Sequence, residues 1–496
     1  TVVWTVVRAA SVTVPAPRRG TPPPADGTRP MTAPSTPPSG SAPADHPADS
    51  RSGGRLARFL RSGSGRSVFR RFSAARAVPE RRRRSDVVAA VVLVVVLLAG
   101  TVLLWRASAV AAAVSRPAAA PIVAPAPAVA LPAAFTEAWR AASAATAVPV
   151  VAGPAVVTAE GSTVVGRDAH TGAGTWSYAR DLPLCTVGAG FPGVDDGNGR
   201  VLAYYEKDSR WCSELTALRP DTGERVTARN PDVRPGTRLL GNDTFVAATG
   251  TDYLEVVRSD LVKTLEYGAV TTPEQAGRQP RTGCTYGSTA ITTGRIGVIE
   301  RCPGEPTDRL TVLSPDGAEG ADKPEEKFSV ALPGPGAVLV ALSPERAAVA
   351  LPDPARLMVL DQAGAQVELL TLDVPGADLS ADPPGGIAAV EADADPAVGG
   401  DGQVSWWTGS RTVGLDAAAL TPRWTLPDAL GPAVRYAGSL VVPVPDGLAE
   451  VDAVSGDVLR RLPVVRADRT APVRLATHGE VLLEQRGPEI VALVPS

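Results

Sequence analysis

Aromatic residues are scarce in this chain of 496 residues, at 4%, and so are methionine (two), histidine (three) and cysteine (four). Lysine is nearly absent: of 49 basic residues only Lys207, Lys263, Lys323 and Lys327 are lysines. With abundant Ala, Pro, Gly and Val, that arginine bias reads as the codon usage of a GC-rich genome. Each shortage removes a class of function. No C-x-x-C spacing occurs, and with so few histidines zinc has poor support. Neither His170 nor His478 has a Ser or Cys nucleophile motif beside it, so no catalytic triad is indicated. No G-x-x-x-x-G-K-[ST] or G-x-G-x-x-G phosphate loop stands in a strand–helix setting.

What is present divides in two by charge. Residues 1–116 hold 18 basic against 5 acidic side chains, a net of +13; the remainder holds 31 against 47, a net of −16. A split this large places the two parts in different surroundings. Residues 1–50 are rich in Pro, Ser, Thr, Ala and Gly, with too little apolar surface to offset the entropy of folding, and are expected to be disordered. Met31 opens MTAPSTPPSG, and residues 1–30 read equally well as upstream sequence or as part of the protein. Residues 51–84 carry 12 Arg and one acid, Glu80, ending in Arg81–Arg84.

The uncharged run Val87–Trp105 follows, 19 residues long. As a helix it rises about 28 Å, close to the hydrocarbon thickness of a bilayer. Some 86 residues precede it and its apolar core is too long for a cleaved signal peptide. The arginines flank it on the N-terminal side, so the positive-inside rule puts the N terminus in the cytoplasm. The segments RLARFLR and SVFRRF interleave Leu and Phe with Arg, and contact with anionic lipid is an expectation for this tail. No folded reader of nucleic acid accompanies the charge, and none is expected as a partner. The expected organisation is a cytoplasmic Arg/Pro-rich tail (1–85), a transmembrane helix (86–106), an Ala/Pro linker acting as a semi-rigid spacer (107–134) and a β-rich domain (135–496).

From about residue 135, short β-branched runs alternate with Gly, Pro, Asp and Asn turns. One pattern recurs seven times at intervals of roughly 36 to 55 residues: a strand ending in an apolar residue and Asp, a turn with Gly, then an apolar or Trp position. The copies include VVGRDAHTGAGTWSY at Trp176, LTALRPDTGERV at Asp221, TVGLDAAALTPRWTL at Asp416 and LAEVDAVSGDVLRRL at Asp452. An eighth unit can be assembled from both ends: VRLATHGEVLLEQRGPEIVALVPS supplies three strands and FTEAWRAAS the fourth, with Trp139 where Trp176 and Trp424 stand in their units. The fold expected is all-β, a β-propeller of eight four-stranded blades, with seven as the rival count.

The segments DAHTGAGTW, RPDTGERV and VDAVSGDVL resemble repeats of the quinoprotein-type (PQQ-like) β-propeller family, over roughly residues 135–496. The resemblance implies that the Asp–Gly turn joins the two outer strands and that Trp139, Trp176 and Trp424 dock between neighbouring blades. Both are structural roles, so the motif identifies a fold and not a chemistry. In that frame Cys185 precedes the first strand and Cys212 follows the second strand of unit two, and Cys284 and Cys302 hold the same places in unit four. The pairs Cys185–Cys212 and Cys284–Cys302 are therefore expected, both on one face. The family's dehydrogenases are similar to one another in having adjacent cysteines, a Trp under the quinone and acidic calcium ligands. Here no two cysteines adjoin, and SWWTGS (Trp406, Trp407) reads as a strand with one ring on each face. Asp195 and Asp196 read as a hairpin turn. Glu391, Asp393, Asp395 and Asp401 read as a solvated loop that lacks the Glu to complete an EF-type site.

No catalytic, cofactor or metal residue is therefore named. The expected function is a non-enzymatic, membrane-anchored module, exposed outside the plasma membrane of a bacterium, that binds or scaffolds a protein or cell-envelope partner. A diverged quinone-dependent dehydrogenase and a ligand sensor are the alternatives. The charge asymmetry gives a direct test: a reporter fused after residue 134 should be active only outside the cytoplasm, and cytoplasmic activity would invert the topology.

Overall fold

The computed structural model describes residues 84–106, 108, 110–317, 320–380, 390–391 and 402–496. The Arg-rich tail and the acids Asp393, Asp395 and Asp401 lie outside the described residues. Among the described residues one helix, Arg84–Arg106, is long and apolar enough to cross a membrane, and none of its side chains is buried against protein. After it, the described residues form eight antiparallel sheets, arranged as an eight-bladed propeller, with one short 3-10 helix at Gly376–Ser380.

Each blade is a meander, and the chain fills them in order. Blade 1 runs from Val150–Ala152 to Gly174–Ala179 and blade 2 from Leu184–Gly190 to Arg225–Arg229. Blade 3 runs from Leu239–Gly241 to Lys263–Gly268 and blade 4 from Thr285–Thr292 to Glu326–Ala331. Blade 5 runs from Val338–Leu342 to Gln366–Thr371, blade 6 from Val390–Glu391 to Pro422–Pro427, and blade 7 from Val434–Tyr436 to Val458–Pro463. Blade 8 takes its three inner strands from the C terminus (Val473–His478, Val481–Arg486, Glu489–Pro495) and its outer strand, Phe135–Ala142, from the start of the domain. That last pairing is antiparallel, with Phe135 opposite Pro495, Trp139 opposite Ala492 and Ala142 opposite Glu489.

The burial pattern explains why this sequence makes a ring and not a sandwich. In a half-buried sheet only alternate residues face the core, but the second strands of these blades are buried throughout: all six residues of Arg200–Tyr205, and five of six in Ala155–Glu160, Ala347–Pro352 and Ser439–Val444. Such continuous apolar runs belong to sheets covered on both faces. The buried side chains fall into clusters between successive blades. Val157, Tyr178, Val201 and Tyr205 fill the gap between blades 1 and 2, and Val156, Ala169, Leu483 and Ile490 that between blades 8 and 1. Several outer strands are far more open, as in Gln366–Thr371, where no residue is buried.

Blade 1 departs from the repeat. Val114–Arg116 adds a fifth strand to its outer edge, with Val114 opposite Ala179. From there residues 117–134 do not stand off as a spacer. The amides of Ala118 and Ile122 donate to the carbonyls of Thr222 and Asp221 in a blade 2 turn (2.9 and 3.0 Å). Pro125 and Ala126 lie against Gly479 of blade 8, and Leu131 sinks into the core between blades 7 and 8. The spacer expectation for 107–134 is corrected on this point: Ile122 and Leu131 are the large apolar anchors in an Ala/Pro sequence, and burying them ties the segment down as a strap.

The junction of blades 8 and 1 generates two predictions. Trp→Ala at a packed site costs roughly 3–5 kcal/mol, and at Trp139 the loss falls on the strand that closes the ring. A chain starting at residue 146 should therefore melt well below one starting at residue 110, as a single cooperative unit; equal melting temperatures would show that the ends do not share a blade. His478, buried at the same junction, places Nε2 3.0 Å from the Pro154 carbonyl oxygen. Burial pushes its pKa below the ordinary 6.5, and the Pro154 hydrogen bond only partly opposes this. Below that ordinary value the unfolded chain takes up a proton that the folded one resists. Stability should fall as pH drops from 6.5 toward the lowered folded pKa. His478→Gln should flatten that slope in pH-dependent melting curves; an unchanged slope would assign it elsewhere.

Candidate functional site

A propeller offers two ends. The turns between inner and second strands and those between third and outer strands emerge together, here called the turn face. The opposite end carries both disulfides: Cys185–Cys212 in blade 2 and Cys284–Cys302 in blade 4. The turn face also carries the strap, through Asp221, Thr222 and Gly479.

The third–outer turns are built alike. In blade 1 Asp168 Oδ1 accepts from the amides of His170 (3.2 Å) and Thr171 (2.8 Å). In blade 7 Asp452 Oδ1 accepts from Val454 and Ser455 (2.9 and 2.8 Å), and in blade 6 Asp416 Oδ1 from Ala418 and Ala419. These are Asx turns, the local reason the repeat needs Asp there. The amides of Ser455 and Val454 hold the Asp452 carboxyl below its ordinary range. At Asp168 burial pushes upward, but the Thr171 hydroxyl and amide outweigh it.

Across each gap an outer-strand side chain of one blade reaches the turn of the next. Trp139 donates Nε1–H to Ala169 O (2.8 Å), Trp176 to Pro220 O (2.7 Å) and Trp424 to Ala453 O (3.1 Å). The rings lie over the turn glycines. A Cβ on Gly172 would overlap the Trp139 ring and one on Gly223 the Trp176 ring, so both positions admit only glycine. Elsewhere other residues make the reach: Thr264, one residue before the Trp position of blade 3, donates to Pro315 O (2.7 Å), and Arg460, at that position in blade 7, donates to Leu131 O (2.9 Å). Blade 8 has no continuous third–outer turn, because its outer strand comes from the other end of the domain. The strap supplies the missing carbonyl.

A second set of contacts was not legible in the sequence: buried acid–base clusters between blades. Arg466 is sealed in protein and forks onto Glu484 (Nε–Oε2 3.0 Å, Nη2–Oε1 2.6 Å) while donating to the carbonyls of Val444 and Gly447 in blade 7. Arg229 of blade 2 meets the fully buried Glu255 of blade 3 at 2.7 Å, and Tyr253 hydroxyl stands within 3.0 Å of Glu255 and 2.9 Å of Glu266. Burial raises the Glu255 pKa against the pull of Arg229. Arg281 reaches Glu300 (3.0 Å) and Tyr267 hydroxyl (2.8 Å) at the gap between blades 3 and 4. Partners this far apart in sequence leave no spacing to read. Removing one member would strand a buried charge, at a cost of about 3–5 kcal/mol.

Among the described residues one trio of metal-ligating types comes together: Cys284, Glu300 and Cys302. The two cysteines are bonded to each other and Glu300 is held by Arg281 and Tyr267, so the set is spent on structure. Trp406 is buried between blades 5 and 6, and Trp407, on the other side of the strand, donates to Ala429 O (2.9 Å) under the Arg474 guanidinium (4.9 Å). Asp195 and Asp196 sit in a left-handed turn, with Asp195 paired to Arg200. That turn borders a cavity of about 320 Å³ on the turn face, between blades 1, 2 and 3 and lined by Gly153, Asn198, Arg200, Asn242 and Asp243. A second cavity, of about 400 Å³, opens on the disulfide face beside Arg301, Cys302 and Asp308. Either has the volume of a small-ligand cleft.

No protein-family model matches the chain, and no curated protein matches it. Solved structures similar to it include BamB from Moraxella catarrhalis (13% identity, 73% of this chain and 99% of that one, TM-score 0.43). Others are the dihydro-heme d1 dehydrogenase NirN (15%, 74% and 73%, 0.44) and AztD from Citrobacter koseri (12%, 66% and 88%, 0.41). At these identities the likeness is one of fold.

Proposed function

We propose that this chain is a membrane-anchored scaffold: an extracytoplasmic propeller on a single helix, with its N terminus in the cytoplasm of a bacterium, that binds a protein or cell-envelope partner. The observation that carries it is continuity. The apolar helix ends at Arg106, and by Val114 the chain is already paired into blade 1. Anchor and ring are one piece of chain, with no independent domain between them. Two disulfides agree with an oxidising compartment outside the cytoplasm. The side chains that converge inside the ring serve its rigidity: the cysteines as staples, Trp139, Trp176 and Trp424 as docking groups, and the Arg–Glu clusters as clasps between blades. A rigid rim of loops suits recognition.

The test uses photo-cross-linking side chains at Arg210 and Pro306, exposed in the disulfide-stapled loops of blades 2 and 4, in living cells. They should trap a discrete envelope component, and trap nothing when the helix is deleted and the ring stays in the cytoplasm. Saturable binding of the quinone by the purified chain, with alcohol or sugar oxidation once calcium is added, would overturn the scaffold reading in favour of an enzyme.

A further inference from the structure

The strap poses a question that its structural role leaves unanswered. Ile122 and Leu131 point inward, each 9% exposed. Their neighbours point out: Val123 is 83% and Val129 96% exposed, and Val110 and Val114 lie open as well. A strap serving only to close the ring would gain nothing from valines on its outer side. The charge is equally unusual. Residues 107–134 contain no acid and one base, Arg116. The turns they cross are charged, with Asp168, Asp452 and Glu480 in blades 1, 7 and 8 and the bases His170 and Arg219 among them. The strap lays an uncharged, apolar band over that part of the ring.

Reach then limits what the band can meet. Residues 107–113 are all that separate the end of the helix from the fifth strand of blade 1. Fully extended they span about 25 Å at ~3.5 Å per residue. Here they span less, because the amides of Ala111 and Ala112 both bond back to the Ser108 carbonyl in a helical turn. If the helix spans a bilayer, the strap is held beside the surface from which the helix emerges.

We propose that the strap is a lipid-contacting surface: Val123 and Val129 rest in the interfacial layer of the outer leaflet, and the ring lies with the strap part of its turn face on the membrane. The occupant is the neutral headgroup and upper acyl region of the bilayer. An apolar band without acids is compatible with that layer, in which amphipathic surface segments bury their apolar side by about 5–10 Å. Because the acids around the band would be repelled by an anionic surface, zwitterionic lipid is the expected match. The disulfide face, with Cys185–Cys212 and Cys284–Cys302, then points away from the membrane and is the freer end for a partner.

This inference rests on the anchoring reading, and one experiment separates the two. All four native cysteines are paired, so an introduced cysteine is the only free thiol. Full-length chains carrying Val95→Cys, Val123→Cys, Val129→Cys or Val465→Cys are labelled with an environment-sensitive fluorophore and placed in phosphatidylcholine nanodiscs with brominated acyl chains. Val95 lies within the helix; Val465, 90% exposed, lies beside Asp446 at the disulfide end of blade 7. The labels at 95, 123 and 129 should lose fluorescence in brominated relative to unbrominated discs, and the label at 465 should not. Quenching at 95 without quenching at 123 and 129 overturns the lipid contact and leaves the anchor standing. Quenching at 465 equal to that at 123 and 129 overturns the assignment of a face. No quenching at 95 overturns the anchor, and the lipid contact with it.

Discussion

The pairing of Phe135–Ala142 with Glu489–Pro495 is the contact on which the rest of this structure depends. Every blade is apolar on both sides, so no blade is stable at the end of a row. An open array of eight would leave two such faces in water, each the size of the clusters now buried between neighbours, and two unpaired sheet faces invite association. Joining the first strand to the last removes both exposed faces at once. The join is made by backbone hydrogen bonds over a strand's length and reinforced by Trp139 reaching across to blade 1. It is also the contact of greatest sequence separation, and loop-closure entropy must be met before it gives any return. The strap adds to the same seam: Leu131 fills the core between blades 7 and 8 and offers Arg460 the carbonyl that blade 8 cannot.

What was legible in the sequence was the part set by local chemistry. In blades 1, 6 and 7 the Asp of the third–outer turn bonds amides two and three residues ahead, so its signal lies within a few positions and repeats with the blade. Trp176 and Gly223 were legible as a pattern because the same contact recurs at Trp139 and Trp424. The eight-blade count followed from matching a missing outer strand at one end with an orphan strand at the other. The clasps were not legible. Arg229 and Glu255 are 26 positions apart, Arg281 and Glu300 19, Arg466 and Glu484 18, with no shared local motif. The strap was misread for a different reason. Composition reports how stiff an Ala/Pro segment is, but one buried Ile and one buried Leu suffice to fix it to a surface, and two residues in 28 do not register as a hydrophobic pattern.

The clasps also bear on how such a ring stays uniform. Its apolar cores are made largely of Val, Ala and Leu, which tolerate small slips between sheets. A buried Arg–Glu fork does not, since its energy depends on bidentate geometry. Arg466 binds Glu484 of blade 8 and two carbonyls of blade 7 at the same time, so it fixes the register between the blades that flank the closing seam. Stability could come equally well from apolar replacement; the orientation is what the charges specify.

If the helix spans a membrane as proposed, a rigid ring joined to it by seven residues has few ways to sit there, and that narrows where a partner can bind. A flexible spacer would let either end face outward, and the two ends would then be equivalent to a ligand. Anchoring through the edge of blade 1, with the strap laid across the neighbouring turns, makes them inequivalent before any partner arrives. In the proposed orientation the end nearer the bilayer holds the cavity beside Arg200 and Asp243, and the other end holds the disulfide-stapled loops of blades 2 and 4. Stapling long loops lowers the entropy they lose on binding. Stapled loops at the end away from the anchor are therefore where a large partner meets the least steric and entropic opposition.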